Sequence, residues 1–250
     1  MTRAVEQVGF APTHRCNLKC KHCYLGPSEN VNMDPDIPLV TMEYFNDISH
    51  IGFYGAESQF NPQAPLDIKK AALTYDRKFK GVGLVSNLTF LNYDFWDTVE
   101  ELGALATSDG YKVHVRVSND AEHNRAMRAI GIYKQQVYDN IRLLQDRYPS
   151  IYVELEDWTK NSPVINSGNA TALIEQGLAE QIDESELEKM AIQRCMQRMP
   201  GHYIMKRKLN FFRTDAKGNV HDKYVDHITG DKVNFGNVLQ TPIPEILLSL

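Results

Sequence analysis

The chain has 250 residues, of which 42% are hydrophobic and 24% charged, and its formal net charge is −5. These proportions exclude a disordered chain, a collagen-like fibre and a disulfide-stapled miniprotein, and the acidic balance argues against a nucleic-acid coat. The first residues carry no apolar signal core, and no run approaches the roughly 18 apolar residues of a membrane span. The expected setting is therefore the cytoplasm, with no membrane partner, where thiols stay reduced.

Residues 5–11, with β-branched and aromatic side chains, read as a first strand. A short buried strand follows at 51–54, then a helix over 65–78 and a strand at 81–86. Phe95, Val99, Leu102 and Ala106 recur at helical spacing and predict the next helix. Residues 112–118 alternate as a fourth strand, Val137, Ile141 and Leu144 mark another helix, and 151–156 make a fifth strand. Strand ends separated by about 30 residues or more have the rhythm of repeated βα units. They predict an α/β fold, a partial (β/α)6 TIM-type barrel with its active residues at the C-terminal ends of the strands. The sixth strand has only a weak candidate, at 178–182. Beyond 183 the texture changes to a helix over 183–199, a strand at 203–213, a turn at Gly218, a strand at 219–224 and a short helix from Pro244. The chain thus divides into a barrel over 1–183 and a small α+β C-terminal extension over 184–250.

Three of the four cysteines, Cys16, Cys20 and Cys23, fall on the loop after the first strand with C-x3-C-x2-C spacing. A reduced cluster of this kind points to metal rather than to disulfides. Zinc would complete a closed tetrahedron with a fourth ligand, and His14 and His22 lie close by in sequence. A four-iron cluster on three cysteines would instead leave one iron open to a substrate or cofactor. The residue types alone leave both readings open.

The stretch from Cys16 to Cys23, followed directly by the aromatic Tyr24, resembles the radical S-adenosylmethionine (SAM) superfamily. The resemblance implies a [4Fe–4S] cluster on Cys16, Cys20 and Cys23, with SAM chelated at the open iron. It further implies reductive cleavage of SAM to a 5′-deoxyadenosyl radical that removes a substrate hydrogen. Relatives carry Gly-Gly-Glu-Pro after the second strand; here Gly55, Ala56, Glu57 and Ser58 stand there, and the resemblance makes the first three SAM contacts, with Glu57 on the amino group. Asn87, in Ser-Asn-Leu, stands where relatives carry Thr-Asn-Gly, and either faces the cofactor or caps a turn. Ser118, after the fourth strand, is the candidate for a ribose or carboxylate contact. Asp120 reads as the N-cap of the next helix, and Arg125 and Arg128 read as solvated helix residues or partners of the SAM carboxylate. Asn169 replaces an arginine that relatives carry after strand five.

The C-terminal extension resembles the SPASM/twitch module of peptide-modifying radical SAM enzymes, most closely at Phe235, Gly236, Asn237 and Val238 and then Glu245, Ile246 and Leu247. Its one cysteine, Cys195, is too few for an auxiliary cluster. Cys195 has two readings: a small buried hydrophobe, or, as in radical peptide epimerases, the catalytic donor of a hydrogen atom to a substrate radical. The expected function is peptide or protein modification in natural-product maturation, with an electron donor such as flavodoxin or ferredoxin. Against it, Cys16 arrives too early for a preceding leader-binding domain. The alternatives are a radical SAM enzyme of small metabolites or nucleotides, and a non-enzymatic zinc module.

Overall fold

The computed structural model describes residues 4–23, 27–156, 211–221 and 234–249. Five strands, β1 (Ala4–Phe10), β2 (Asp47–Phe53), β3 (Gly81–Ser86), β4 (Val113–Ser118) and β5 (Ile151–Glu156), run parallel, each beside the next. Between them lie α1 (Asp36–Tyr44), α2 (Gln63–Thr74), α3 (Tyr93–Gly103), α4 (Ala121–Ala129) and α5 (Lys134–Arg147). This is the expected α/β architecture, a parallel sheet built from βα units, of the kind found in partial TIM barrels. The weak candidate for a sixth strand and the helix expected over 183–199 lie outside the described residues.

Three C-terminal strands, β6 (Phe211–Thr214), β7 (Asn219–His221) and β8 (Asn234–Asn237), continue the sheet from the other edge of β1. β6 is parallel to β1, and β7 and β8 follow antiparallel. The sheet order is therefore β5-β4-β3-β2-β1-β6-β7-β8. The tight β6–β7 turn forms because Asp215 Oδ1 accepts from the backbone N–H groups of Lys217 and Asn219, while Gly218 takes φ +83°. The last helix, α6, spans Ile243–Ser249.

Three expected elements are corrected. Helix α2 ends at Thr74 rather than at 78, and Asp76 just beyond it takes φ +48°. Helix α3 ends at Gly103, and Ala106 instead lies in an extended bridge beside Phe79. Strand β2 begins at Asp47, four residues before the expected start, because Ile48 is buried in the same core as Ile51. Helix α1 has no expected counterpart: Pro38 obscures it in the sequence, yet proline is tolerated in a first turn, and Asp34 Oδ1 accepts from Asp36 N there.

Alternation along the strands separates two faces. Val82, Leu84, Val113, Val115 and Val117 are buried on the helix side, in one core with Ile68, Phe95, Trp96, Val99 and Leu102. On the opposite face Gly9, Gly52 and Gly83 stand side by side in register across β1, β2 and β3. A Cβ added to Gly83 would meet nothing within 4 Å. The same row continues into His114 of β4 and Tyr152 of β5, whose rings lie 5.2 Å apart. The side chains of Arg213 and Tyr54 lie over Gly9 and that of Gln7 over Gly52, so the row is open at Gly83, beside a polar wall where His114 contacts Glu154 at 3.0 Å and Arg116 pairs with Glu156 at 3.6 Å.

Candidate active site

The loop after β1 carries the three cysteines and is anchored on both sides. Thr13 Oγ1 donates to Val31 O at 2.7 Å, and Ser28 Oγ accepts from Cys16 N at 2.9 Å. From the other side Asn61 Nδ2 donates to Pro12 O, and Glu57 N donates to Arg15 O. Leu18 and Cys20 are buried, and Cys16 and Cys23 pack against the same core at its margin. This packing fixes residues 11–23, which lie in neither helix nor strand, as a platform at the C-terminal end of the sheet.

The thiols feel one another. Burial, with the nearby charges of Glu57 and Cys23, pushes the Cys16 thiol up to about 11, although the Leu18 N–H favours the thiolate. Burial and the neighbouring Cys16 and Cys23 push Cys20 up as well. A bound cation offsets that opposition, because metal binding deprotonates its ligand thiols. The set therefore fits the iron–sulfur cluster implied by its spacing: three sulfur donors on one rigid loop, shielded by apolar side chains.

The segment after β2 closes on the end of β3. Gly55 takes φ +106°, the left-handed region that glycine permits. Glu57 is fully buried, and its carboxylate turns toward β3: Oε1 accepts from Ser86 Oγ at 2.9 Å and Gln59 Nε2 at 3.1 Å, and Oε2 accepts from Asn87 N at 2.7 Å. Burial raises this carboxyl, against those hydrogen bonds. Gln59, which sequence reasoning missed, is buried and also accepts from Asn92 N and Trp96 Nε1. Its buried amide has no periodic signature in the sequence.

Asn87 makes two sets of contacts. It caps the turn, accepting from Thr89 N at 3.0 Å, and its Nδ2 reaches Asn17 Oδ1 at 3.1 Å and Cys16 Sγ at 3.9 Å. Asn17 Nδ2 closes a ring of polar contacts on Thr89 Oγ1 at 2.8 Å. Leu88, where relatives carry glycine, takes φ +46° and is held by Ser86 Oγ and Asn140 Nδ2.

Ser118 ends β4 on the face of Arg116 and lies half-buried. Asp120 is the N-cap of α4, accepting from the N–H groups of Glu122 and His123 at 2.9 Å each. Arg125 pairs with Glu122 along the helix, and Arg128 is exposed. The structure thus gathers Cys16, Cys20, Cys23, Gly55, Ala56, Glu57, Asn87 and Ser118 at the C-terminal ends of the first four strands. Tyr24, Asn169 and Cys195 lie outside the described residues.

The model of the Radical SAM superfamily matches residues 10–155, more than half of the chain. Among curated proteins, none matches. Among solved structures, BtrN in complex with AdoMet and 2-DOIA superposes with a TM-score of 0.56 at 17% identity, covering 99% of this chain and 83% of that one. Native anSMEcpe with bound AdoMet and Cp18Cys peptide gives 0.61 at 13%, covering 97% and 80%. Streptococcus suis SuiB bound to S-adenosylmethionine gives 0.59 at 10%, covering 98% and 65%. At these identities the likeness is one of fold, and the family rests on the matched residues, which run from the end of β1 through the cysteine loop to β5: the chain belongs to the radical SAM superfamily.

Proposed function

We propose that this radical SAM enzyme modifies a peptide or protein, and that Cys16, Cys20 and Cys23 hold its cluster. The superfamily's cofactors, a [4Fe–4S] cluster and SAM, are the enzyme's cofactors. When bound, they supply a 5′-deoxyadenosyl radical that removes a hydrogen atom from the substrate. The three-thiol platform at the sheet's C-terminal end carries this reading.

The remaining roles belong to the chain. Gly55 and Ala56 offer backbone groups to the amino end of SAM, since the absent or small side chain permits close approach. Glu57 fixes the geometry of that segment and of Asn87, whose amide orients the Cys16 sulfur. Ser118 serves the ribose or the carboxylate. Gly83 leaves open space on the face away from the helices. An electron-transfer protein such as flavodoxin or ferredoxin delivers the reducing electron.

The peptide assignment is supported by the anSMEcpe neighbour with its bound peptide. A small-molecule substrate is the second reading, favoured by the likeness to BtrN with bound 2-DOIA. Anaerobic reconstitution should give about four irons per chain, and dithionite with SAM should yield 5′-deoxyadenosine and methionine. Alanine at Cys16, Cys20 or Cys23 should abolish both, and reconstituted protein without iron or sulfide would refute the cluster. Reaction with a deuterated peptide digest should then carry deuterium into 5′-deoxyadenosine. Deuterium arriving only from a deuterated small-metabolite extract would overturn the peptide assignment in favour of the second reading.

A further inference from the structure

Beside the three thiols, a second group of side chains is built like a metal site. His22 stands on the cysteine loop and His123 in the first turn of α4, and their rings meet edge to face with centroids 4.8 Å apart. Asp120 lies between them. Its Oδ1 is 3.4 Å from His22 Nε2, and its Oδ2 is 2.5 Å from His123 Nδ1.

The Asp120 carboxylate thus lies against one nitrogen of each ring. The other nitrogen of each ring, Nδ1 of His22 and Nε2 of His123, is not the one set against Asp120. His22 Nδ1 is buried and has no hydrogen-bond partner among the described residues. Orphaned buried polar atoms are rare and call for a physical reason, and a cation would supply one. The Cys20 sulfur completes the set, for the ligand atoms of Cys20, His22 and His123 all lie within 4.8 Å of one another. Zinc bonds of about 2.0–2.3 Å place tetrahedral ligands about 3.3–3.6 Å apart, so these side chains need close by only about an ångström. Histidines that ligate a metal typically set the second ring nitrogen against a carboxylate, and Asp120 contacts both rings here.

We propose that Cys20, His22 and His123, oriented by Asp120, form a second metal site for a zinc-type divalent cation, sharing Cys20 with the three-cysteine set. One thiolate and two neutral imidazoles are the donors zinc prefers over calcium or magnesium, and three protein ligands leave a fourth position for water. Cys20 serves one centre at a time, so zinc and the iron–sulfur cluster compete for the loop. The second site overlaps the catalytic reading at Cys20 alone, because Cys16 and Cys23 take no part in it.

The test uses the full chain carrying Cys16→Ser and Cys23→Ser, stripped of metal and titrated with Co2+ as a spectroscopic stand-in for zinc. One equivalent should bind, with tetrahedral d–d absorption and a thiolate charge-transfer band, and zinc should displace it. Adding Cys20→Ser should remove the charge-transfer band. His22→Ala and His123→Ala should each weaken binding at least about 100-fold, and Asp120→Asn, which keeps a good N-cap, about 10- to 100-fold. Circular dichroism checks that each variant stays folded. Absence of the charge-transfer band from the starting variant, or unchanged affinity in both histidine variants, would overturn the site. In the otherwise wild-type chain, one equivalent of zinc should lower iron uptake during reconstitution, and His123→Ala should remove that effect. Equal iron uptake by the wild-type chain with and without zinc would overturn the shared use of Cys20.

Discussion

Glu57 faces donors on both oxygens: Ser86 Oγ and Gln59 Nε2 on one, Asn87 N on the other. An amide cannot match this pattern, since one end of Gln would set an NH2 against an N–H or NH2 donor. Glu57→Gln should therefore destabilise the fold by about 1–3 kcal/mol, the usual consequence of leaving a buried polar group unsatisfied. Urea unfolding of the cluster-free protein measures this, and an unchanged midpoint would show that the pocket repacks. The sequence displayed Glu57 through its neighbours Gly55 and Ala56, but not the direction of its carboxylate. That direction depends on Ser86 and Asn87, about 30 residues away. Leu88 is a related case. Its φ of +46° is an outlier for a bulky side chain, and nothing local in Ser-Asn-Leu announces it. The hydrogen bond that Asn140 Nδ2 donates to its carbonyl, from 52 residues away, would have to be known first.

At the scale of elements, the glycines of β1, β2 and β3 matter as a row rather than singly. In sequence each reads only as a weak point in a strand, and the row emerges once register is known. The three positions are not equivalent. A Cβ at Gly52 would fall 2.2 Å from Gln7 Nε2, whereas one at Gly83 meets open space. Gly83→Ala should leave stability unchanged or raise it by up to about 1 kcal/mol, because alanine loses less backbone entropy in a strand. Gly83→Val should likewise keep the melting temperature, yet lower substrate-dependent 5′-deoxyadenosine formation at least about tenfold by crowding the reacting groups. A valine variant with full turnover would mean that no ligand approaches that part of the row.

For the molecule as a whole, legibility followed the range of the interactions. Strands β3 and β5 were readable to the residue because they are continuous β-branched or alternating runs. The cysteine loop was readable because its spacing is itself the chemistry. Helix α1 was hidden by its prolines, and β8 was missed because Asn234–Asn237 contains a glycine at φ +140°. The Asp120 cap was foreseen, but its pairing with His22 and His123 joins the β1 loop to the end of β4 across about 100 residues. No periodicity reports such a contact.

The pairing of β1 with β6 also sets an order of events. Gln7 is made early, but its partner on that side, Phe211, follows some two hundred residues later. At about 5–20 residues per second, the ribosome takes roughly 10–40 s to supply it. Throughout that interval the edge of β1 offers unpaired N–H and C=O groups to other nascent chains. Contacts this distant in sequence also slow folding itself. A chain cut after residue 210 should therefore aggregate on refolding, and light scattering should fall when a peptide spanning 211–249 is added in trans. A clear, monomeric solution of the shortened chain would show that β1 is protected by other means. On this account β6, β7 and β8 act as an intramolecular chaperone for β1, and the cysteine platform that β1 carries gains that support only some two hundred residues later.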